Sequence, residues 1–389
     1  MSDLINACII TYDEYLNIPY VKDYEKLLCH AGIQYDIVLW NRAADKQTGE
    51  IGIEQFRGNS CFIYRCRTRK SKASKIMPLF KWRRFVSGIL KKNHYDILII
   101  CTTLPAVLLF DILTGKYDRR FVLDIRDFTY EYLSIYRYMV KKLIHTAGMT
   151  IISSKGFLDW LPYDEKKFVI THNMTNMKTS ANTQVDFSGK KPLVIGFVGG
   201  IRYFDINKKI INAFANDGSF KLKYVGKSHP GCDLQEYCRS CGISNVSFLP
   251  AYRDEDKPGI YETIDIINAV YGDDSQEVRT LLSNKLYDCA LFKKPILVSK
   301  NTYIQTIVEQ YHLGLAVDLE TDNINDLLEN YIKNFDEAAF LNGCECFWET
   351  SLTEKDAAIK NISLFIDNFR FYPYRRRHER QQTPYARRL

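Results

Sequence analysis

Apolar runs and helical patterns alternate along the first half of the chain. Runs that are apolar almost throughout predict strands at 4–11, 35–40, 95–101, 120–125, 149–154 and 167–173. Stretches between them, such as 20–31 and 130–146, have apolar positions at helical spacing. Strands of this kind that alternate with helices are typical of a parallel sheet covered on both faces.

The same alternation starts again at residue 193, after a polar stretch (174–191) that we interpret as a linker. Strands are predicted at 193–200, 220–226, 246–250, 265–270, 294–299 and 314–319, and helices at 206–214, 234–241, 260–263, 284–292, 303–310, 324–334 and 353–369. At 389 residues the chain is long enough for two domains. We therefore predict two similar α/β domains that face a cleft, with ligands at the carboxyl ends of the strands.

Composition changes this prediction little: 46% of residues are hydrophobic and 25% are charged, which is typical of a globular protein. No basic segment precedes the first apolar block, so we expect no signal peptide. The most apolar stretch, 97–110, is shorter than the roughly 20 residues that span a bilayer. Eleven scattered cysteines are interpreted as reduced thiols. We therefore expect a cytoplasmic protein.

The net charge of +7 is unevenly distributed. Residues 55–95 contain twelve Lys and Arg and no acid, and residues 370–389 contain seven Arg against one Glu. Charge segregated in this way predicts a surface for anionic partners. We expect the basic tail to be disordered and close to a membrane, and we expect no nucleic acid as a partner.

The basic stretch also carries apolar residues near helical spacing. Lys81, Trp82, Arg83 and Arg84 represent this mixture, which is how a helix on the surface of an anionic membrane is built. The alternative is a helix that packs its apolar side on its own sheet and leaves its cations in solvent. Both descriptions can hold for one helix.

A glycine turn follows the first strand of the second half. Gly199 and Gly200 come directly after the apolar run, and Arg202 and Lys208 follow. Backbone N–H groups at a helix start, together with two cations, form a site for a diphosphate. The turn matches neither the dinucleotide fingerprint nor the Walker A motif. A tight strand–helix connection without a ligand is the alternative.

A second group of polar residues opens the helix predicted at 284–292. Ser283 and Asn284 are candidate helix caps. Lys285 lies in the first turn, where a cation opposes the helix dipole unless an anion binds there. Asp288, one turn later, can accept hydrogen bonds from a ribose diol. A solvated first turn with no ligand remains the alternative.

The order and spacing of these segments over about residues 4–369 resemble GT-B glycosyltransferases, specifically retaining family four of the bacterial surface-polysaccharide type. The segment 121–132 (FVLDIRDFTYEY) is similar to an element that ends a central strand in those transferases, and 351–369 is similar to their helix that crosses back to the first domain. The resemblance implies an acceptor domain (1–175), a nucleotide-sugar donor domain (192–350), a crossover helix (351–369) and a basic tail (370–389).

The resemblance also implies roles for these residues. The donor diphosphate would contact the glycine turn, its two cations and the helix start, and the donor ribose would contact the following acid: Gly199, Gly200, Arg202, Lys208, Ser283, Asn284 and Lys285, then Asp288. Arg126 and Asp127 would face the reacting sugar from the first domain. The first acid of the family's EX7E motif is missing, because Thr280 stands at that position.

The activity implied is transfer of a sugar, with retention, from a UDP- or GDP-linked donor to a lipid-linked or oligosaccharide acceptor at the inner face of the cell membrane. We expect no cofactor and no metal. His229, Cys232, Cys238 and Cys241 resemble a zinc site, but a second CxxC pair is missing. The alternatives are a GT-B nucleotide-sugar epimerase and a non-catalytic protein that binds nucleotide-sugars or polyanions.

Overall fold

A computed structural model describes residues 5–371 except 14, 16–17, 19, 42–49, 57–58, 66–71, 175–184, 186, 188, 190 and 230. Most of the predicted linker and the tail from residue 372 onward lie outside these described residues. The chain forms two compact units. The described residues of Met1–Ser153, Trp160–Thr171 and Lys355–Leu389 form the first unit, and those of Ser154–Asp159 and His172–Glu354 form the second.

The first unit contains an eight-stranded sheet. Its strands are β1 (Asn6–Ile10), β2 (Gln34–Asn41), β3 (Glu50–Phe56), β4 (Asn59–Arg65), β5 (Ile97–Cys101), β6 (Phe121–Ile125), β7 (Met149–Ile152) and β8 (Val169–Ile170). They lie in the order β3-β4-β2-β1-β5-β6-β7-β8, and neighbours are parallel except for the antiparallel pair β3 and β4. The sequence analysis did not predict β3 and β4, which form a hairpin at the edge of the sheet.

Five helices of the first unit connect these strands: α1 (Val21–His30), α2 (Lys72–Lys92), α3 (Thr103–Leu108), α4 (Phe110–Thr114) and α5 (Ser134–Thr146). Helix α1 leads from β1 toward one edge of the sheet, whereas α2 to α5 lead step by step toward the other edge. Because crossovers between parallel strands are right-handed, α1 lies on one face and α2 to α5 lie on the opposite face.

Helix α2 corrects one residue of the predicted membrane patch. Trp82 is wrong as a surface residue, because its side chain is 0% exposed and its ring lies 6.1 Å from that of Trp40. Val86 and Leu90 follow at helical spacing and are also buried, so the second half of the helix packs on its own unit. Phe80, by contrast, is 64% exposed. The first part of α2 is therefore exposed and its second part is packed on the unit, and contact with a membrane stays a prediction.

The second unit contains a six-stranded, fully parallel sheet in the order β11-β10-β9-β12-β13-β14. Its strands are β9 (Leu193–Val198), β10 (Phe220–Val225), β11 (Val246–Leu249), β12 (Ile266–Ala269), β13 (Ile296–Ser299) and β14 (Gly314–Val317). Its helices are α6 (Phe204–Ala213), α7 (Leu234–Ser240), α8 (Lys257–Glu262), α9 (Gln276–Thr280), α10 (Asn284–Phe292), α11 (Tyr303–Gln310) and α12 (Ile324–Lys333).

The last helix, α13 (Glu337–Phe371), belongs to both units. Near its start it packs closely on the second unit, where a side chain at Gly343 would lie 1.7 Å from the carbonyl oxygen of Tyr311. Near its end Ile362 and Ile366 are buried in the core of the first unit. The chain thus returns to the first unit as predicted, but the helix begins at residue 337 rather than 353. Within the described residues, no helix is long and apolar enough to cross a membrane.

A polar network holds α13 where it leaves the second unit. The Glu354 carboxylate lies 2.7 Å from His172 Nε2 and 2.9 Å from Lys155 Nζ. The other ring nitrogen of His172, Nδ1, lies 2.8 Å from the Tyr287 hydroxyl. The hydrogen bond from His172, with help from Lys155 and against burial, lowers the pKa of Glu354 from its ordinary 4.5 to about 2. The ionised carboxylate therefore stabilises the fold.

We expect Glu354→Gln to lower the free energy of unfolding by about 1–3 kcal/mol at neutral pH. Because the folded-state pKa is depressed, the stabilisation is complete above pH 4.5 and is lost as the pH falls toward 2. The difference between wild type and variant should therefore shrink over this window in urea titrations. Glu349→Gln, an exposed change on the same helix, is the control. A difference that stays constant down to pH 2.5 would contradict the assignment.

Candidate functional site

Two glycine turns meet at the carboxyl edge of the second sheet. Gly199, after β9, has φ +130°, and Gly226, after β10, has φ +144°. A Cβ at Gly226 would lie 1.9 Å from the Gly199 carbonyl oxygen, so only glycine allows this approach. The turns are also joined by hydrogen bonds from Gly199 N to Val225 O (2.9 Å) and from Ile201 N to Lys227 O (3.0 Å). The result is a fixed backbone surface at the ends of β9 and β10.

The ammonium group of Lys285 lies at this surface. Its Nζ atom would be 3.7 Å from a Cβ at Gly199, and it lies 3.9 Å from the ring centroid of Phe197. It donates a hydrogen bond to the Tyr271 hydroxyl at 2.6 Å. The residue is only 5% exposed, yet no carboxylate of the described residues lies within 4.0 Å of the ammonium. A buried cation without a counter-ion is costly unless an anion binds it.

The N-terminus of α10 lies beside this cation. Ser283 caps the helix, since its Oγ accepts a hydrogen bond from Lys285 N at 3.3 Å. Its hydroxyl also lies 3.1 Å from the Tyr271 hydroxyl. Asn284, the first helical residue, is exposed. The first-turn N–H groups of α10 therefore lie beside two hydroxyl groups and a buried ammonium. N–H groups at a helix start can bind an anion.

The sequence analysis missed the role of His229 at this turn. His229 follows β10, and its backbone N–H donates to the carbonyl oxygen of Ile201 at 2.9 Å. Its Nε2 atom would be 3.3 Å from a Cβ at Gly200, and it accepts a hydrogen bond from Arg202 Nε at 3.1 Å. Burial, Arg202 and Lys227 all lower the pKa of His229. The neutral ring therefore holds the Arg202 side chain beside the glycine turn.

The structure adds no support for a zinc site at residues 229–241. Cys232 and Cys238 are buried free thiols, and Cys241 is an exposed free thiol. Among the described residues, no group of three or more His, Cys, Asp or Glu side chains is placed to hold a metal ion. The signal for His229 was instead its position four residues after a strand, but only the sheet order shows that this strand lies next to β9.

Lys208 and Asp288 contact other side chains of the second unit. The Lys208 ammonium lies 5.0 Å from the ring centroid of Tyr237 on α7, while the cation beside Gly199 is Lys285. The Asp288 carboxylate is 4% exposed and accepts hydrogen bonds from the Tyr261 hydroxyl at 2.7 Å and from the Lys257 ammonium at 3.3 Å. The predicted contacts of Lys208 with diphosphate and of Asp288 with ribose remain predictions.

Thr280 occupies the position of the missing acid. It is 3% exposed, its hydroxyl donates to Gln276 O at 2.8 Å, and its carbonyl oxygen accepts from Ser154 Oγ at 2.7 Å. A Cβ at Gly156 would lie 2.4 Å from the same carbonyl oxygen. This tightly packed threonine is therefore part of the core of the second unit.

A cavity of about 580 Å³ lies beside the glycine turns, at the carboxyl ends of β10 and β11. Gly226, His229, Phe248 and Pro250 contribute to its walls. Its size is within the range of small-molecule sites, and His229 belongs both to its lining and to the candidate anion site. The second unit thus has a cavity of mixed polar and apolar lining beside a cationic turn.

In the first unit, Arg126 and Asp127 follow β6 but differ in burial. The Arg126 guanidinium pairs with Asp124 at 2.7 Å and lies 4.3 Å from the ring centroid of Tyr20. Burial alone would lower the pKa of Arg126, but the Asp124 carboxylate raises it above its usual value. The guanidinium is therefore charged, and its ion pair with Asp124 holds it in place. Tyr24 donates to the same Asp124 carboxylate at 2.7 Å. Asp127, by contrast, is exposed.

No protein-family model matches the chain, and no curated protein sequence matches it. Solved structures match its fold over nearly the whole length. The sucrose-phosphate synthase of Thermosynechococcus elongatus superposes with a TM-score of 0.69 at 14% identity, covering 94% of this chain and 99% of that chain. HepE of Anabaena, in complex with UDP and glucose, gives 0.63 at 13% identity, covering 92% and 99%. The lipopolysaccharide outer core galactosyltransferase WaaB gives 0.61 at 12% identity, covering 94% and 99%.

These similarities confirm the predicted fold class: two parallel-sheet, Rossmann-like units of the GT-B type. At these identities they show the fold alone, because one fold carries many activities. Membership of family four stays a prediction.

We expect Lys285→Met to weaken the binding of UDP or GDP by about 10- to 100-fold, because a hydrogen-bonded charge pair with phosphate is lost. The apolar stem is kept, so the variant should remain folded. Isothermal titration calorimetry measures the affinity. Lys209→Met, which removes an exposed cation paired with Glu320, is the matched control. Equal affinities of Lys285→Met and wild type would place the diphosphate elsewhere.

Binding of a nucleoside diphosphate should be accompanied by proton uptake at mildly acidic pH. The free ring of His229 has a lowered pKa, and an anion at the glycine turn would raise it again. Between these two values the complex gains a proton. Calorimetry in buffers of different ionisation enthalpy measures the uptake, and His229→Asn should abolish it. Identical binding enthalpies in all buffers would show that the anion does not contact this histidine.

Proposed function

We propose that the chain is a glycosyltransferase that moves a sugar from a nucleoside-diphosphate sugar, UDP- or GDP-linked, to an acceptor with retention of anomeric configuration. The observation that carries this proposal is the buried ammonium of Lys285 at the glycine turn, which has no carboxylate partner among the described residues. The GT-B fold adds support, since one structure of this fold, HepE, holds UDP and glucose.

The residues of the second unit suit the departure of a diphosphate. When the bond between the anomeric carbon and the phosphate oxygen breaks, the diphosphate leaves with the bonding electrons. Lys285, Arg202 and the start of α10 stabilise the charge that develops on it. The acceptor oxygen forms the new glycosidic bond, and its proton passes to an oxygen of the departing diphosphate. In this proposal the nucleoside occupies the cavity beside His229, and no metal or cofactor takes part.

The first unit supplies the acceptor side in this proposal. Asp127, exposed at the carboxyl end of β6, faces the reacting sugar, and Arg126 holds the loop through Asp124. The acceptor is a lipid-linked saccharide or oligosaccharide, and the pathway is bacterial surface-polysaccharide assembly. The protein works in the cytoplasm at the inner face of the membrane. The relative WaaB, a lipopolysaccharide outer core galactosyltransferase, supports this acceptor class.

A non-catalytic nucleotide-sugar-binding protein is the alternative, and the similarity to structures of glycosyltransferases does not favour it. Thr280 replaces an acid of the family motif, and the Asp288 carboxylate is already bonded to Tyr261 and Lys257. Such a protein binds the donor but does not release nucleoside diphosphate from it. Turnover therefore separates the two functions.

The test begins with thermal shifts against UDP, GDP and their common sugar conjugates, and then measures release of nucleoside diphosphate from the donor that stabilises the protein. Asp127→Asn should lower turnover about 100-fold or more and leave the donor dissociation constant unchanged, since its contact is with the reacting sugar. Asp118→Asn, an exposed acid of the same unit, is the control. Equal losses in turnover and donor binding would give Asp127 a structural role, and binding without turnover would favour the non-catalytic alternative.

A further inference from the structure

Large apolar side chains are exposed mainly on two segments of the first unit. Of the ten such residues found among the described part of the chain, seven lie there: Ile76 (54% exposed), Met77 (62%), Phe80 (64%), Tyr132 (61%), Leu133 (46%), Ile135 (69%) and Tyr138 (55%). The first three are on α2, and the other four are on α5 and the two residues before it. Single exposed apolar residues are ordinary, but a concentration of this kind marks an interaction surface.

The fold brings the two segments to the same side of the unit. Helices α2 to α5 cover one face of the sheet, and helices that follow parallel strands begin at its carboxyl edge. The exposed residues lie in the first halves of α2 and α5, and therefore near this edge. Arg83 on α2 pairs with Asp111 on α4 at 2.8 Å, and Thr103 on α3 lies 2.9 Å from the Tyr136 hydroxyl on α5. These contacts join the helices into one layer.

The exposed loop before α5 is held in place by hydrogen bonds to a buried carboxylate. The Glu131 carboxylate is 1% exposed and accepts hydrogen bonds from the Thr103 hydroxyl at 2.6 Å and from the Thr129 backbone N–H. Arg137 donates to the Glu131 carbonyl oxygen at 3.0 Å. Tyr132 and Leu133, the next residues, are therefore presented to solvent by an anchored backbone.

The charges on the two helices have a single sign. The sequence of α2 contains seven Lys and Arg and no acid, and that of α5 contains Arg137, Lys141 and Lys142 and no acid. The nearest acid on the helices between them, Asp111, is paired with Arg83. A second copy of this chain would bring an equally basic face to the contact, which like-charge repulsion opposes. Anionic lipid complements it.

We propose that this α2–α5 surface, the seven exposed apolar residues with the cations of the two helices, docks on an anionic lipid bilayer. The apolar side chains enter the headgroup region, the tyrosines stay at its polar boundary and the cations meet lipid phosphates. The inference rests on the proposed function, because it names the membrane as the place of the acceptor. The segment 132–138 is its new element, since the sequence indicated only α2.

Docking through this surface also gives Asp127 a defined position. Asp127 lies five residues before Tyr132 in the same anchored loop and at the same edge of the sheet. A bilayer that contacts Tyr132 and Ile135 therefore lies close to the residue proposed to face the reacting sugar. A saccharide attached to a lipid in that bilayer reaches Asp127 without leaving the membrane surface.

The experiment is co-sedimentation of the full chain with vesicles of phosphatidylcholine, with and without phosphatidylglycerol. Wild type should bind the anionic vesicles and lose binding as salt is raised. Ile135→Ser and Phe80→Ser should each lower the partition coefficient about tenfold, because each removes an exposed apolar side chain that enters the headgroup region in this proposal. Leu364→Ser is the control, since Leu364 is 54% exposed on the part of α13 that packs beside α1, on the other face of the sheet. It should bind like wild type.

Several results would overturn the docking surface. Unchanged binding of Ile135→Ser removes the α5 segment from it, and equal binding to vesicles without phosphatidylglycerol removes the role of charge. Dimers in sedimentation velocity that Ile135→Ser dissociates would identify a second copy as the occupant, and failure to bind any vesicle would leave an acidic protein as the partner. UDP binding is measured on the same preparations. If UDP binds but vesicles do not, only the docking surface is overturned. If vesicles bind but UDP does not, only the proposed function is overturned.

Discussion

The arrangement of the second unit depends on one uncompensated charge. Removing an ammonium group from water costs several kcal/mol, and a protein keeps such a group when a partner is present for part of its cycle. Lys285 has aromatic rings and a hydroxyl around it but no described carboxylate near it. The Tyr271 hydroxyl, itself within hydrogen-bond distance of the Ser283 hydroxyl, holds the ammonium in place without neutralising it. The site is thus prepared for an anion before one arrives, which lowers the cost of binding.

The two glycines explain why the anion would meet backbone as well as side chains. Contact between the turns after β9 and β10 requires that Gly226 carry no side chain, and this contact brings His229 to Arg202. Gly226 and His229 also line the neighbouring cavity. Cation, helix start and cavity therefore follow from the parallel order of three neighbouring strands.

The first unit uses its exposed face in a different way. Its sheet is covered by helices on both sides, yet the layer formed by α2 to α5 leaves apolar side chains in solvent at one edge. Burial of Trp82 and Val86 fixes α2 on the sheet, while the apolar side chains in the first part of the helix stay exposed. The buried Glu131 does the same for the loop before α5. Buried anchoring residues and exposed apolar residues thus lie close together in the same segments of chain.

Hydrophobic periodicity by itself determined most of the fold, because buried parallel strands must be apolar throughout and their helices must be apolar on one side. It identified β9, α10 and α11 almost to the residue. The resemblance to GT-B transferases, not the periodicity, implied that Gly199 and Lys285 belong to one candidate site. The periodicity did not identify the β3–β4 hairpin, the early start of α13 or the burial of Trp82, since these depend on neighbours distant in sequence. His229, Tyr271 and the 132–138 surface emerged only from tertiary structure, because sheet order decides which loops meet and which side of a helix stays uncovered.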